Sequence, residues 1–130
     1  MSDLAEKSVI GCLLMDNKEL YKVYDILKPD MFHDPVLKEI YREIVKMYDI
    51  GQPANLVTIT QAVESESYTR QYIGQVLKEC ALLPLTSAEL KSYGNSIVKD
   101  YKAETLRKIL SQTQVSAAGV EYQIADLIQE

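Results

Sequence analysis

The sequence of 130 residues contains no tryptophan, one phenylalanine, one histidine and only two cysteines. Cys12 and Cys80 both lie within apolar helical patterns, where a free cysteine behaves as a small buried hydrophobe. No basic and apolar leader opens the chain, and no apolar run approaches the roughly 20 residues that a membrane span requires. We therefore expect reduced thiols, no membrane association and a cytoplasmic location.

Motifs for catalysis are also missing. The sequence has no GxxxxGK[ST] phosphate loop, no GxGxxG and no nucleophile elbow, so nucleotide hydrolysis by this segment is excluded as far as motifs can exclude it. His33 has no second histidine and neither cysteine near it in sequence, so a zinc site is incomplete. We interpret His33 as a surface or capping residue beside Asp34. We expect no catalytic, cofactor-binding or metal-binding residue in this segment.

Basic residues are too few for general binding to nucleic acid. The chain carries 14 Lys and Arg against 19 Asp and Glu, a net charge of −5, whereas affinity for a phosphate backbone rises with the number of basic contacts. A basic set on one predicted helix is interleaved with acidic residues: Lys91, Lys99, Lys102, Arg107 and Lys108. We therefore expect protein partners, and little or no direct binding to nucleic acid.

Apolar residues at helical spacing run through almost the whole chain, and no strand-like alternation occurs. The best-specified helix covers residues 35–51, with apolar residues at steps of three and four: Leu37, Ile40, Tyr41, Ile44, Val45 and Tyr48. Asp34 is placed to cap its first turn, Pro35 fits the first helical position, and Gly51 provides a left-handed stop. We predict an all-α fold in which neighbouring segments pack around this helix as a small bundle.

Four shorter helices are predicted around it. One runs through Met15, and a second, amphipathic helix begins at Lys18 and ends before Pro29. In the turn that follows, Met31 and Phe32 are predicted to be buried. Leu56 and Val57 are predicted to anchor a loop after the best-specified helix. A short helix is then predicted to begin at a capping box formed by Thr58 and Gln61. The next helix carries Tyr72, Ile73, Val76, Leu77 and Cys80. Together these segments predict a globular helical head over residues 1–85.

A long helix follows the head. Thr86 and Glu89 have capping-box spacing, and no breaker stronger than Gly94 appears before Gly119. A helix of roughly 32 residues is about 48 Å long, whereas a compact chain of this size is about 36 Å across, so the helix must project as an arm. Residues 121–130 again have helical spacing and can fold back as a short return helix. We predict a helical hairpin arm over residues 86–130, within one structural domain.

The arm supplies the candidate interface. Where the helix extends beyond the head its apolar residues have no core of their own, and large exposed apolar patches mark contacts between proteins. The alternative is that these apolar residues are buried against the return helix of the same chain. Both contacts can occur together, because a two-helix hairpin seldom buries all of its apolar surface. The candidate interface residues are Tyr101, Leu106, Ile109, Leu110 and Val115.

The chain resembles the N-terminal domain of DnaB-type replicative DNA helicases of bacteria, phages or mobile elements. Four blocks carry the resemblance in order: Glu6, Val9, Gly11, Leu13, Leu14, Asp16 and Asn17; Phe32, Pro35, Ile40, Tyr41 and Ile44; Gly51, Pro53 and residues 55–58; and Tyr93, Ile97, Val98, Lys99 and Leu110. Two places depart from the family pattern: Leu37, where members commonly carry histidine, and the short stretch 64–70. These departures suggest a divergent member.

The resemblance implies a non-catalytic collar domain that dimerises through the hairpin, assembles into a hexameric ring, and docks the helicase-binding domain of primase or a helicase loader. ATP and magnesium are then expected only for the motor domain, which is missing from this segment. Two alternatives stay open: the helicase-binding domain of a primase, and a stand-alone helical regulator. A motor domain encoded directly after Glu130 would eliminate the regulator.

Overall fold

The computed structural model describes residues 3–83 and 85–112. Within these ranges, most apolar residues at helical spacing lie in helices. The α-helices of this part of the chain are α1 (Asp3–Met15), α2 (Pro35–Asp49), α3 (Leu56–Val63), α4 (Arg70–Ala81) and α5 (Ser87–Leu110). Two 3₁₀ helices, Asn17–Lys22 and Pro29–Met31, connect α1 to α2. No strand occurs among the described residues, and the predicted all-α class is confirmed.

Helix α2 has the ends that its sequence predicts. The Asp34 carboxylate accepts hydrogen bonds from the backbone N–H groups of Val36 (2.9 Å) and Leu37 (3.2 Å). Gly51, just beyond the helix, has a φ of +74°, the left-handed conformation that stops a helix at little cost only with glycine. Leu37, Ile40, Tyr41 and Ile44 of the predicted apolar face are buried, whereas Val45 is partly buried and Tyr48 is exposed. Phe32 stacks on Tyr41 with ring centroids 4.8 Å apart.

The centre of the head is α1, and not α2 as the sequence suggested. Helix α1 packs against α2, α4, α5 and the first 3₁₀ helix, and its apolar residues Val9, Ile10 and Leu13 are fully buried. Gly11 lies at the crossing with α4, where a Cβ atom would come within 2.1 Å of the Cys80 carbonyl oxygen. Only glycine allows the two helices to approach this closely.

The predicted helix between Lys18 and Pro29 forms differently. Residues 17–22 are a 3₁₀ helix, followed by turns that bury Val23 and Leu27. The Asn17 side chain joins the end of α1 to the loop before α3. It donates to the Leu13 carbonyl (2.7 Å) and the Ala54 carbonyl (3.0 Å) and accepts from the Ala54 N–H (2.8 Å). Apolar residues at steps of three and four occur both in an α-helix and in a 3₁₀ helix followed by turns. The spacing alone therefore does not distinguish these two structures.

Helix α3 begins earlier than its sequence suggested. Asn55, and not Thr58, is the capping residue, because its side-chain oxygen accepts from the N–H groups of Val57 and Thr58, both at 3.0 Å. The Thr58 hydroxyl completes the capping box by accepting from the Asn55 N–H at 2.9 Å. The prediction that Leu56 and Val57 form an anchored loop is wrong, since both lie in the first turn of α3 and are exposed.

Helix α5 begins as predicted but is shorter than expected. The Glu89 carboxylate accepts from the hydroxyl (2.9 Å) and the N–H (3.3 Å) of Thr86. The helix ends after 24 residues at Leu110, where the Ser111 N–H still donates to the Arg107 carbonyl (3.0 Å). Its length is therefore about 36 Å and not about 48 Å, so length alone does not force it to project.

The first half of α5 contributes to the core of the head. Leu90 and Ile97 are buried, and Gly94 lies so close to Val23 that an added Cβ would come within 2.7 Å of the valine Cγ1. The predicted return helix at 121–130 and the candidate Val115 lie outside the described residues. The division into a head over 1–85 and an arm over 86–130 stays a prediction.

Candidate interaction surfaces

The candidate interface residues on α5 differ in exposure. Ile109 is 9% exposed, whereas Leu110 is 62% exposed, and Tyr101 and Leu106 lie between these extremes. Tyr101 packs against the core of the head. Among the described candidates, Leu110 therefore presents the most apolar surface, and their role in an interface stays a prediction.

One ion pair lies on the second half of α5. Arg107 contacts Glu104 one turn earlier, with its Nε 3.2 Å from the carboxylate, and this pairing holds the pKa of Glu104 below its ordinary value. Both side chains are largely exposed. An exposed pair of this kind contributes little to stability.

A cleft of about 200 Å³ lies beside Tyr101. Its apolar lining comes from Met31, Phe32, Ile97 and Tyr101, and its polar lining includes His33 and Glu104. The structure thus brings His33 near one candidate interface residue. The side chain of His33 is exposed, as predicted for a surface position.

Glu6 fastens α1 to the turn before α2. It is only 4% exposed, and its carboxylate accepts from the backbone N–H groups of His33 (2.8 Å) and Asp34 (3.1 Å). Burial raises the pKa of Glu6 above its ordinary value, and the two N–H donors oppose that shift. This role of Glu6 was not predicted, although a carboxylate between Ala5 and Val9 on an otherwise apolar stretch was a signal for it.

An exposed apolar surface, which was not predicted either, lies where three helix ends meet. We name it the Met15 groove: it is lined by Leu14 and Met15 at the end of α1, residues 55–58 at the start of α3, and Ala81 at the end of α4. Its volume is about 500 Å³. Met15 is 81% exposed and Val57 is 64% exposed.

No metal centre is assembled from the described residues, since they contain no group of three or more His, Cys, Asp or Glu side chains placed to hold an ion. Cys12 and Cys80 are buried free thiols, and burial raises the pKa of Cys80 to about 12, so this thiol is protonated at neutral pH. Over the same described ranges, no helix has the length and apolar character to cross a membrane.

The helices of the described residues define a class of protein. The fold is that of the N-terminal domain of DnaB helicase from Mycobacterium tuberculosis, whose crystal structure superposes with a TM-score of 0.70 over 96% of this chain and 94% of that one. At 21% identity, this likeness establishes the fold alone. The family model described as "DnaB-like helicase N terminal domain" matches residues 2–100, and the chain belongs to that family.

Curated relatives agree with this assignment. The replicative DNA helicase DnaB of Geobacillus stearothermophilus is 26% identical over 116 residues, which cover 88% of this chain and 25% of the relative. The replicative DNA helicase DnaC of Bacillus subtilis is 26% identical over 129 residues, which cover 97% of this chain and 28% of the relative. The chain thus spans about a quarter of the length of these relatives, and the predicted family resemblance is confirmed.

Proposed function

We propose that this chain is the non-catalytic N-terminal collar domain of a replicative DNA helicase. The observation that carries the proposal is the family match over residues 2–100, together with relatives named as replicative DNA helicases of which the chain spans about a quarter. The remaining length of such a protein would hold the ATP-dependent and magnesium-dependent motor. This segment would bind no cofactor, and the protein would work in the cytoplasm.

The domain would assemble through the end of α5, first as a dimer and then as a hexameric collar. The first half of α5 is fixed in the core by Leu90 and Ile97, so the second half is held in a defined direction. Leu110 lies at its exposed end, where contact with a second copy would remove apolar surface from water. Tyr101, Leu106, Ile109 and Val115 stay part of the proposed contact.

The collar would also dock the helicase-binding domain of primase or a helicase loader. The net charge of −5 supports a protein partner over DNA, since the head offers no excess of basic residues to phosphates. The family match favours the helicase side of this contact over the alternative of a primase domain. A stand-alone helical regulator stays the alternative for a chain without a motor.

Replacing Leu110 by Asp tests the assembly. A carboxylate at this exposed position would be desolvated in the interface, and we expect the weight-average mass in sedimentation velocity to fall towards that of the monomer. Leu110 is a better target than Ile109, because an aspartate at the buried Ile109 would also unfold the helix end.

The matched control is Ile50→Asp, which places the same charge on an exposed isoleucine at the end of α2. The control should associate like the native chain, and far-ultraviolet circular dichroism should be unchanged in both variants. A mass that stays the same in Leu110→Asp across concentration would overturn the proposed contact. Docking is tested separately, by sedimentation of the chain mixed with a primase helicase-binding domain.

A further inference from the structure

The cleft beside Tyr101 lies between α5, the first turn of α1 and the turn before α2. Its lining from α5 comes from one side of that helix: Ile97, Asp100, Tyr101, Glu104 and Lys108. Met31 and Phe32 add apolar surface from the turn, and Glu6 adds a carboxyl group from α1. An apolar lining with a small number of polar groups is typical of a binding site.

Glu6 brings a buried carboxylate to this cleft. Its two oxygens each accept from one backbone N–H, that of His33 at 2.8 Å and that of Asp34 at 3.1 Å. An ionised carboxylate has about four acceptor sites, so others remain for a donor in the cleft. Glu6 is 4% exposed and forms no ion pair with any residue that the structure describes. A cation in the cleft would therefore supply the counterion that the described part of the fold lacks.

Carboxyl groups outnumber ammonium groups in the lining of the cleft. The titratable lining is made of four carboxyl groups, two ammonium groups and one imidazole: Glu6, Asp30, Asp100 and Glu104, then Lys38 and Lys108, then His33. Arg42 contacts Asp30 at 3.1 Å, and Arg107 contacts Glu104 at 3.2 Å, so these two carboxylates already have partners. Asp100 has no ion pair within the described ranges and is available to a ligand in addition to Glu6.

The two lysines do not fix a positive charge at the cleft. Neither the Lys38 nor the Lys108 side chain has a hydrogen bond or ion pair within residues 3–83 and 85–112. Lys38 is partly exposed and Lys108 is exposed, and a flexible lysine stem lets the ammonium group stay in water. Two N–H donors, by contrast, hold the Glu6 carboxylate in place. The fixed charge of the cleft is therefore negative.

The volume of the cleft indicates a single side chain as its occupant. About 200 Å³ is the space of roughly seven water molecules at ~30 Å³ each, and it lies below the roughly 300–1,000 Å³ of sites for whole small molecules. An arginine side chain has a similar number of non-hydrogen atoms. Its guanidinium group donates hydrogen bonds to carboxylates and stacks on aromatic rings such as that of Tyr101.

The origin of such an arginine lies outside the C-terminal part of this chain. Residues 113–130 contain Glu121, Asp126 and Glu130 but no lysine or arginine, so they cannot supply the cation. Arginine is enriched among the few residues that dominate binding between proteins, where it fills a pocket on the partner. We propose that the cleft beside Tyr101 binds an arginine side chain of a partner protein.

This inference does not rest on assembly through α5. Tyr101 is common to the cleft and to the proposed assembly contact, so the two are tested at different residues. Leu110 tests assembly, and Asp100, ten residues earlier on the same helix and about 15 Å away along its axis, tests the cleft. Leu110→Asp should leave arginine binding unchanged.

The probe is N-acetyl-arginine amide, which carries the guanidinium group and no charged terminus. N-acetyl-citrulline amide is the matched control, because an oxygen replaces one guanidinium nitrogen and the charge is lost. Each is titrated into the ¹⁵N-labelled full chain at constant ionic strength, and the amide chemical shifts are followed by NMR. The arginine probe should saturate with a dissociation constant on the order of 1–10 mM, as expected for one side chain, and the citrulline probe should not saturate.

The amide signals of His33 and Asp34 report on Glu6 without a mutation, because these two N–H groups donate to its carboxylate. Both signals should shift with the arginine probe. Glu6→Gln is a poorer test, since it would also disturb the turn that Glu6 holds. Saturable shifts elsewhere that leave these two amides unchanged would place the arginine outside the cleft and overturn the proposal.

Asp100→Asn should weaken binding of the arginine probe by about threefold, as expected for the loss of a partly exposed charge contact. Asp25→Asn is the matched control, because Asp25 is exposed, lies outside the lining of the cleft and loses the same charge. It should bind like the native chain. Lys108→Gln should strengthen binding by about twofold, because it removes a repelling charge. Far-ultraviolet circular dichroism should be the same for all three variants.

The remaining outcomes separate the possible occupants. Equal binding of the arginine and citrulline probes, or equal binding to native chain and Asp100→Asn, would overturn the proposal. Saturation by the α-amide of N-acetyl-glutamate in place of the arginine probe would overturn it in favour of an anion. Binding of ethylguanidine but not of N-acetyl-arginine amide would overturn it in favour of a small cation, since an arginine of a partner carries its backbone. A fall in sedimentation mass caused by Asp100→Asn would overturn it in favour of a second copy.

Discussion

Gly11 determines how closely α1, the central helix, approaches α4. A Cβ atom at this position would lie 2.1 Å from the Cys80 carbonyl oxygen and 2.8 Å from its carbon, both of them backbone atoms that cannot rotate away. The helices would have to separate, and the leucine and isoleucine contacts between them would loosen. A single added methyl group is therefore sufficient to disturb the core.

We predict that Gly11→Ala lowers the free energy of unfolding by about 3 kcal/mol, the upper part of the range for overpacked cores. Urea denaturation followed by circular dichroism measures this. Gly74→Ala is the matched control, because Gly74 is also inside a helix and has nothing within 4 Å of its would-be Cβ. It should be stabilising by about 0.5–1 kcal/mol, since alanine favours a helix over glycine. Equal effects at both positions would contradict the tight crossing.

Glu6 gives stability a dependence on pH. Burial raises its pKa in the folded state above 4.5, so the folded chain holds this proton more tightly than the unfolded chain does. The resulting stabilisation is fully present below the unfolded pKa and is lost as the pH rises through the folded pKa. Relative to a variant without this carboxyl group, the native chain should gain stability on acidification.

We predict that Glu6→Gln is destabilised by about 1–3 kcal/mol, because its amide nitrogen would face one of the N–H donors of residues 33 and 34. The native chain's advantage over this variant should be larger near pH 4 than near pH 7, as measured by urea denaturation at both values. Glu66→Gln, at an exposed position, is the matched control. An advantage that grows with rising pH would show that the two N–H donors outweigh burial.

At the scale of whole helices, local signals identified the elements whose ends are specified by neighbouring residues. Helix α2 has its cap at Asp34 and its stop at Gly51, and α5 has its start at Thr86. At α2 the Asp34 side chain accepts from first-turn N–H groups and Gly51 adopts a positive φ, and at α5 the Glu89 carboxylate accepts from the N–H and hydroxyl of Thr86. Such signals act within a few residues, which is why one sequence was sufficient to read them.

Signals that depend on tertiary packing were misread. Helix α1 is buried on nearly every side, so its apolar residues form no single stripe, and its central position was not visible in the periodicity. Asn17 joins α1 to residue 54, a partner 37 positions away that no local pattern indicates. The end of α5 at Leu110 is not marked by glycine or proline, so the helix was predicted to continue as far as Gly119.

The candidate surfaces also contain features that the local sequence indicates and features that only the folded chain shows. The prediction for the end of α5 named both Ile109 and Leu110, and only the folded chain distinguishes the buried side chain from the exposed one. Leu56 and Val57 were expected to point inward, because adjacent apolar residues after a proline suggest an anchor. The Asn55 cap instead starts the helix before them and leaves them on the surface. The Met15 groove could not be predicted, since three distant segments create it.

At the scale of the whole molecule, charge decides between protein and DNA as direct partners. The net charge of −5 produces a repulsive field around phosphates, and the basic residues of α5 are interspersed with acidic ones such as Glu104, which Arg107 already contacts. Non-specific binding to DNA gains its free energy from released counterions, in proportion to the number of phosphates neutralised. Few phosphates can be neutralised by this surface.

We therefore predict no saturable binding of a fluorescein-labelled single-stranded oligonucleotide at chain concentrations up to about 100 μM at physiological salt, the weak limit of ordinary non-specific binding. Fluorescence anisotropy measures this, and a single-stranded-DNA-binding protein with an OB-fold serves as the positive control with the same oligonucleotide. Binding that saturates, weakens with salt and is lost in the double variant Lys99→Ala and Lys102→Ala would contradict the prediction. It would mean that α5 presents a local basic surface strong enough to overcome the field of the whole chain, and that this domain touches DNA directly.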